Sequence, residues 1–527
     1  MSANATDMYS TKAKPLINLL RGWPNTSLLP THLLRKAANN VLSNNAIAFP
    51  GMLYGPDPGD PRLRENIALW LSDFYKPPQP ILSDRITITG GASQNLACIL
   101  QVFSDPLFTR NVWMVAPCYM LAYRIFDDSG FYGKLRAIPE DDEGVDIDYL
   151  RREIKKSEEK ATLGGNNEPK WKPARPWGKI YRHIVYAVPT FSNPSFKTMT
   201  LRRREELVRV AREFDALIVT DDVYDFLQWP SSPNSQTSGL DTAVLPRVVD
   251  VDRFLDGGSE REGADGFGNV ASNGSFSKIC GPGLRTGWVE GTPKLAYGVS
   301  QTYGNLHTAH PARKIMARLW SNARHRHWLL PLEFYGLILV RHCQSAMVLR
   351  NEQRSSRSGG APSHLTATFV ADTLASGELQ RHVLDTLQPS YASRYRCMIS
   401  AIETNLLPLG VKIPQPGRDV VGGYFIWLTL PSSLRGAEVA QRAKTEENLI
   451  IAQGELFEVP GDTDHASFPH DLRLCFAWED EDKLAEGIQR LANVIHNMQK
   501  DGGEVGVAMQ PTTDGDSRGK DAVRNFW

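Results

Sequence analysis

The sequence predicts an α/β protein built around a mostly parallel sheet. Over residues 85–330, short β-branched and aromatic runs alternate with amphipathic segments whose apolar residues recur about every 3.6 positions. Parallel strands need a crossover connection, usually a helix, and read as continuous apolar runs because helices cover both faces of the sheet. From about residue 390 a smaller α+β part follows, with a strand at "GGYFIWLTLP" and a final helix at "EDKLAEGIQRLANVIHNM".

The elements can be followed in chain order. "PLINLLRGWPNTSLLPTHLLRKAANNVL" predicts an extended segment, a turn and a helix, and "DPRLRENIALWLSDFY" predicts a second helix. "RITITGGASQNLACILQVF" is a strand, a Gly-Gly turn and a helix, and later strand runs lie in "NVWMVAPCYM", "KIYRHIVYAVP" and "ALIVTDD". Residues 155–179 and 230–272 are rich in charged residues, Gly, Ser, Asn and Pro. We interpret them as surface insertions, because the alternation resumes after each.

Composition limits the class of partner. The 59 Lys and Arg balance the 59 Asp and Glu, so no bulk field favours nucleic acid or an anionic membrane. No apolar run approaches the roughly 20 residues of a membrane helix, and the first residues lack the apolar stretch of a secretory signal. Six cysteines without a C-x-x-C pair favour reduced thiols over a disulfide framework or a zinc site. We therefore expect a cytoplasmic protein with no metal, nucleic-acid or membrane partner.

Two segments carry residues suited to a charged ligand at the ends of strands. "GGASQNL" at 90–96 places a glycine turn before a helix, where exposed amides bind anions. Taken alone, an ordinary turn with Ser93 as N-cap is the simpler interpretation. "VTDDVYDFL" at 219–227 ends a buried strand in acids, where Asp221 and Tyr224 can reach one face of a flat ligand. Helix capping and metal binding by the aspartate pair are the alternatives.

Two further segments add an amide and an amine. In "PTFSNPS" at 189–195, Asn193 either contacts a ligand or belongs to a plain Asn-Pro turn. In "NGSFSKICGPGLRTGW" at 273–288, Lys278 is a candidate nucleophile, and Ser275, Ser277 and Arg285 are suited to a phosphate. A dinucleotide loop and a solvated lysine compete with this interpretation, but "GPGLRTG" does not match the G-x-G-x-x-G spacing.

In this order and spacing, the segments resemble those of the fold-type-I pyridoxal-phosphate (PLP) aminotransferases of class I/II. The resemblance covers about residues 15–500 outside the insertions, and it is strongest to the branch of 2-aminoadipate, kynurenine and aromatic aminotransferases. It implies the PLP-transferase fold of type I, in which a large domain with a mostly parallel seven-stranded sheet between helices joins a smaller α+β domain.

The resemblance also implies an organisation of the chain. In order, this is a disordered tail at 1–14, an N-terminal segment at 15–84 shared by the small domain and a dimer contact, the large PLP-binding domain at 85–330 with its insertions at 155–179 and 230–272, interdomain helices at 331–389, the small C-terminal domain at 390–500 and a disordered tail at 501–527.

Residue roles follow from the matching positions. Lys278 matches the lysine that forms an aldimine with PLP, and Asp221 matches the partner of the pyridine nitrogen. Tyr224 and Asn193 match the partners of the phenolic oxygen, and Tyr119 matches the aromatic side chain stacked on the ring. The positions matched to the phosphate site are Ser93, Gln94, Ser275, Ser277 and Arg285.

The substrate site and the dimer are implied in the same way. Arg473 matches the arginine that binds the substrate α-carboxylate, and Asn193 and Gly22 match residues beside it. Tyr54 matches a tyrosine that reaches the phosphate of the neighbouring subunit, which requires a homodimer. Arg21 stands where the branch usually has glycine, and we expect it to bind a distal carboxylate or to stack on an aromatic donor.

The implied activity is transamination of an L-amino acid with a 2-oxo acid such as 2-oxoglutarate. The expected donors are 2-aminoadipate, aromatic amino acids or kynurenine-like compounds. A lyase or decarboxylase on the same scaffold is the alternative. A non-catalytic PLP-binding regulator is disfavoured by the neutral charge and by the short segment ahead of the resemblance. The chain departs from the family pattern at Arg21, at the insertions and at "NPSFKTMT", which stands in place of Asn-Pro-Thr-Gly. None of these departures touches the residues matched to PLP, so they bear on the substrate and not on the chemistry.

Overall fold

The computed structural model describes residues 14–232, 240–302, 362–413 and 419–501. Its strands are β1 (Ile17–Asn18), β2 (Ile86–Thr89), β3 (Val112–Ala116), β4 (Leu135–Asp141), β5 (Gly144–Val145), β6 (His183–Ala187), β7 (Ala216–Asp221), β8 (Gln228–Pro230), β9 (Val270–Ser275), β10 (Gly287–Glu290), β11 (Val420–Gly422), β12 (Phe425–Thr429), β13 (Leu449–Ile450), β14 (Ala452–Gln453) and β15 (Asp471–Cys475). Its helices are α1 (Thr31–Leu42), α2 (Asn45–Gly51), α3 (Pro61–Tyr75), α4 (Ala92–Phe103), α5 (Met120–Phe126), α6 (Ile147–Leu163), α7 (Leu201–Glu213), α8 (Val248–Phe254), α9 (Pro293–Ser300), α10 (His364–Ala375), α11 (Glu378–His382), α12 (Gln388–Asn405), α13 (Gly436–Glu447) and α14 (Glu481–Asp501).

A large sheet with the order β2-β10-β9-β7-β6-β3-β4-β5 organises the α/β part. The five strands from β9 to β4 are parallel, whereas β10 runs antiparallel to both β9 and β2. The predicted α/β class with a mostly parallel sheet is confirmed. The sheet has eight strands instead of seven, because the chain turns back after β4 and β5 pairs with it antiparallel. A two-residue strand has too little periodicity to be seen in the sequence.

Alternating side chains place core on both faces of this sheet. In β7, Leu217 and Val219 lie in the same buried cluster as Leu96 of α4, whereas Ile218 lies with Leu207 of α7. The strand side chains of β3, β6 and β7 are all buried, as expected of strands covered by helices on both sides.

The remaining strands form small sheets in the other part of the chain. β12, β15 and β14 form an antiparallel sheet, β11 pairs with β8, and β1 near the start of the chain pairs in parallel with β13. Helices α12 and α14 pack against each other. Along the ranges that the structure describes, no helix has the length and apolar character needed to cross a bilayer.

The two predicted insertions contain regular elements. Helix α6 continues to Leu163 because Asp146 caps its first turn and Leu150 and Ile154 bury one face. The second stretch includes α8 and the first residues of β9. Composition masked the helical periodicity in both stretches. The predicted tails at 1–14 and 501–527 lie outside the described residues except for Lys14 and Asp501. Residues 303–361, which include the end of the predicted large domain and the first part of the predicted interdomain helices, lie outside them as well.

Candidate functional site

Four predicted residues follow the carboxyl ends of parallel strands. Asp221 is the last residue of β7, Tyr119 precedes α5 just after β3, and Asn193 lies in the loop after β6. Lys278 lies in a 3-10 turn after β9. Because the carboxyl ends of parallel strands lie at one edge of a sheet, these side chains meet where α/β proteins bind ligands.

Lys278 is held by contacts at its side-chain amine and at its main-chain carbonyl. Its Nζ donates a hydrogen bond to the Gly22 carbonyl at 2.8 Å and lies 5.6 Å and 5.5 Å from the ring centroids of Tyr224 and Tyr424. The Tyr424 hydroxyl donates to the Lys278 carbonyl at 2.8 Å. Burial lowers the pKa of the Lys278 amine to about 8, while the nearby Asp221 carboxylate acts to raise it. A lowered pKa leaves more of the amine neutral, and only the neutral amine can act as a nucleophile or base.

Asp221 presents one paired and one unpaired oxygen. Its Oδ2 accepts a hydrogen bond from the Tyr186 hydroxyl at 2.9 Å. Its Oδ1 is buried and has no hydrogen-bond partner in the described part of the chain. Burial raises the pKa of Asp221 to about 6, opposed by the Tyr186 hydrogen bond and supported by the charge of Asp222. A cationic N–H donor beside Oδ1 would satisfy this atom and favour the ionised form.

Arg473 forms a buried cationic site beside them. Its Nη1 donates to the Asn193 Oδ1 at 2.9 Å, and its Nη2 donates to the Leu20 carbonyl at 2.6 Å. The guanidinium lies 4.0 Å from the Phe425 ring and 4.8 Å from the Phe457 ring. Burial lowers the pKa of Arg473 to about 10, so the side chain stays charged at neutral pH. The planar cation is therefore held in a fixed orientation suited to a carboxylate.

A group of residues suited to an anion lies together at the start of α4. Gly91, with φ of 105°, precedes the helix. A side chain added at Gly91 would come within 3.4 Å of Arg285 Nη2 and 3.6 Å of Ser275 Oγ. The Ser275 and Ser277 hydroxyls are 2.9 Å apart. Strand β10 joins these parts, because its Gly287 pairs with Ser275 of β9 and with Thr89 of β2.

Ser93 and Gln94 lie in the first turn of α4. Ser93 is exposed, and the Gln94 side chain accepts a hydrogen bond from the Gly90 amide. The first amides of a helix have no intrahelical acceptor and carry the positive end of the helix dipole. Together with Arg285 and the two serine hydroxyls, they can hold a doubly charged anion such as phosphate.

Two predicted residues have other surroundings. Tyr54 is 70% exposed and lines an open groove of about 630 Å³ together with His364. The Arg21 guanidinium lies 4.7 Å from the Trp23 ring and 5.1 Å from the Trp478 ring. The other predicted residues lie at the carboxyl edge of the large sheet or, like Arg473 of β15 and Gly22, contact residues there. Tyr54 lies on the groove, and Arg21 lies beside the two indoles.

Sequence reasoning missed several contacts of the site. Gly91 and Tyr424 lie in the Gly-Gly segments "GGASQ" and "GGYF", where the glycines were a usable signal. Tyr186 lies within a buried strand and gave no signal. Gly22 was predicted, and a glycine is needed there because a side chain would come within 2.7 Å of Phe425 Cζ.

The lowered pKa of Lys278 predicts how fast its amine reacts. In the cofactor-free protein, acetylation of Lys278 should speed up as pH rises, with a midpoint near the pKa of about 8. An ordinary solvated lysine would give a midpoint near about 10.4. Pulsed acetylation read by peptide mass spectrometry measures this profile, and Lys278→Arg identifies the peptide. A midpoint near that of a solvated lysine would contradict the assignment of a neutral amine.

Comparison with known proteins shows the family of this chain. Residues 17–491 match the family model described as aminotransferase class I and II. An aromatic-amino-acid aminotransferase of Thermococcus litoralis is 26% identical over 487 residues, covering 92% of this chain and 89% of the relative. A 2-aminoadipate transaminase of Thermus thermophilus is 23% identical over 490 residues, covering 93% and 92%. The crystal structure of kynurenine aminotransferase from Pyrococcus horikoshii, in complex with PMP, matches with a TM-score of 0.63 at 26% identity, covering 92% of this chain and 91% of that one.

Proposed function

This chain belongs to the class I and II aminotransferases and is a PLP-dependent transaminase, and on that premise we propose its substrates and site. It transfers the amino group of 2-aminoadipate, an aromatic amino acid or a kynurenine-like donor to a 2-oxo acid such as 2-oxoglutarate. The names of the similar proteins support these donor classes. The observation that carries the proposal is the meeting of Lys278, Asp221 and Arg473 at one edge of the sheet.

The residues at this edge fit PLP. The unpaired, buried Asp221 Oδ1 would accept a hydrogen bond from the protonated nitrogen of the pyridine ring. The space in front of Gly91, which a side chain would fill toward Arg285 and Ser275, matches the phosphate. When bound, PLP supplies an aldehyde that takes the amino group and a ring that accepts the electrons of the broken C–H bond.

The remaining ring contacts come from side chains of the same edge. We propose that Tyr119 stacks on the ring and that Tyr224 and Asn193 face its phenolic oxygen. Tyr119 and Tyr224 lie close to Asp221 and Arg473, and Asn193 accepts a hydrogen bond from Arg473. The groups proposed for the phosphate are Ser93, Gln94, Ser275, Ser277 and Arg285, with Gly91 allowing the close approach.

Lys278 and Arg473 act on the substrate itself. Arg473 binds the α-carboxylate, and its contacts with Asn193 and Leu20 fix the plane of the guanidinium. Lys278 moves the α-proton, because a pKa of about 8 leaves a neutral fraction that accepts a proton and a charged fraction that returns it. The Phe425 and Phe457 rings exclude water around Arg473, which strengthens its attraction for a carboxylate.

A cytoplasmic homodimer is part of the proposal. Phe49, Met52 and Leu53 are 57%, 58% and 69% exposed beside Tyr54, and a second copy would cover them. Tyr54 would then reach the partner's phosphate site. We also propose a large domain at 85–330 and a small one shared by 15–84 and 390–500, which the pairing of β1 with β13 supports.

Arg21 is expected to select among donors. If its guanidinium binds a distal carboxylate, Arg21→Ala should lower kcat/KM for 2-aminoadipate by about 10- to 100-fold, the loss of one charged hydrogen bond. The value for phenylalanine should change by less than about 3-fold. Steady-state kinetics of the wild-type and Arg21→Ala enzymes with both donors measures the difference. Equal losses of kcat/KM for the two donors would contradict the assignment of Arg21 to a distal carboxylate.

A half-reaction screen tests the proposed function. The PLP-loaded protein is mixed with single amino acids without any acceptor. We expect one equivalent of 2-oxo acid and conversion of the cofactor to pyridoxamine phosphate with the correct donor. Release of ammonia or CO₂ in place of this conversion would favour the lyase or decarboxylase alternative.

A further inference from the structure

Glu140 is a buried carboxyl group close to the site that has no role in the chemistry above. It lies near the carboxyl end of β4, and its side chain is 7% exposed. Its Oε1 accepts a hydrogen bond from the Ser195 hydroxyl at 3.2 Å, and its Oε2 lies 3.9 Å from Lys197 Nζ. Oε2 is buried and makes no hydrogen bond to any residue that the structure describes. A buried carboxyl group with one unsatisfied oxygen is costly, and its presence calls for an explanation.

The contacts of Glu140 lead to the turn that carries Asn193. This turn, residues 192–197, closes on itself, because the Phe196 amide donates to the Ser192 carbonyl at 2.8 Å and the Ser192 amide donates to the Lys197 carbonyl at 2.9 Å. Two members of the turn, Ser195 and Lys197, face Glu140.

The other side of the turn contacts Arg473. Asn193 is 5% exposed, and its Oδ1 accepts the hydrogen bond from Arg473 Nη1. Glu140 is therefore connected to Arg473 through one short, closed turn. A shift of that turn would move the Asn193 amide and release one of the hydrogen bonds that orient the guanidinium.

We propose that Glu140 is a positioning residue for the substrate-carboxylate site. Its carboxylate anchors the 192–197 turn through Ser195 and Lys197 and thereby fixes Asn193 against Arg473. This inference rests on the proposed function, because it takes Arg473 as the group that binds the α-carboxylate.

Titration of Glu140 should make this anchoring depend on pH. Burial raises the pKa of Glu140 to about 7, while Lys197 and the Ser195 hydrogen bond act to lower it and Asp141 acts to raise it. Cys118, in the loop after β3, also lies near the carboxylate, which acts to raise the pKa of the thiol. Above this pKa the carboxylate attracts Lys197 and accepts from Ser195. Below it the attraction to Lys197 is lost, so KM for the amino donor should rise as pH falls through neutrality.

Glu140→Gln tests the proposal, because the amide keeps the shape and an oxygen for Ser195 but cannot ionise. With the PLP-loaded enzyme between about pH 6 and about pH 8.5, wild-type KM should rise about 3- to 10-fold toward low pH, the worth of one hydrogen bond. The variant should show the higher KM at every pH, so its KM should not rise further toward low pH. Its kcat should stay within about 3-fold of wild type. Glu143→Gln is the matched control, since this half-exposed carboxylate pairs with Arg202 and its replacement should leave the pH dependence of KM unchanged.

Ser195→Ala provides a second test if Glu140→Gln does not fold. It removes the hydrogen bond to Glu140 Oε1 and should also raise KM at alkaline pH while keeping kcat. A Glu140→Gln enzyme whose KM still rises toward low pH would overturn the positioning role. So would a Ser195→Ala enzyme whose KM at alkaline pH equals that of wild type, or a loss of kcat with KM unchanged in either variant. Failure of the proposed function is separate, because the wild-type enzyme would then form no 2-oxo acid with any donor.

Discussion

Replacing Lys278 with alanine is expected to lower the first-order rate of the amino-donor half-reaction by at least about 10⁴-fold. Positioned acid–base groups contribute about 10²–10⁴-fold, and loss of the proposed covalent contact to the cofactor would add to this. In the structure Lys278 is the amine beside Asp221, held by the Gly22 carbonyl at 2.8 Å. Stopped-flow absorbance of the PLP-loaded variant after addition of donor measures the rate.

Lys172→Ala is the matched control. Burial lowers the pKa of this amine to about 8 as well, but it donates to the carbonyls of Leu100 and Gln101 at the end of α4. Its loss should leave the half-reaction rate within about 3-fold of wild type. A Lys278→Ala protein that converts donor at a rate near wild type would refute the role of this lysine.

Replacing Asp221 with asparagine is expected to lower kcat/KM by about 10²- to 4 × 10³-fold. The amide keeps an oxygen for the Tyr186 hydroxyl but removes the charge that would face the pyridine nitrogen. Breaking one partner of a buried charge pair costs about 3–5 kcal/mol, which corresponds to this loss at about 1.4 kcal/mol for each factor of ten. Steady-state kinetics with a saturating acceptor measures it.

Asp222→Asn separates charge from burial. Asp222 is also buried, but its Oδ2 accepts from the Thr220 and Ser272 hydroxyls. Its replacement should lower thermal stability, and it should lower kcat/KM less than Asp221→Asn does. Equal losses of kcat/KM in the two variants would mean that the position of the charge at Asp221 does not matter.

The sequence predicted the sheet because its strands are buried on both faces and alternate with helices. Side chains that follow strand ends, such as Asp221 and Lys278, could then be placed at one edge from the parallel order alone. Their spacing within short segments carried the resemblance to one family. Local sequence and strand order were sufficient for this part of the site.

Contacts between distant segments could not be predicted in the same way. Arg473 meets Asn193 across 280 residues, and Lys278 meets Gly22 across 256. Such contacts depend on how the small sheets pack against the large one. The contact of Tyr186 with Asp221 could not be predicted, because a tyrosine in an apolar strand has the same sequence pattern as any aromatic residue of the core. Glu140, within "AIPEDDEG", looked like one acid among several exposed ones.

Reduction of the PLP-loaded protein with borohydride, followed by peptide mass spectrometry, tests the central claim most directly. Reduction fixes the cofactor to the amine that holds it, and neither turnover nor knowledge of the donor is needed. We expect the added phosphopyridoxyl mass on the peptide that contains Lys278, and its absence after prior incubation with a productive donor. The same mass on any other lysine, or on none, would contradict the assignment of Lys278.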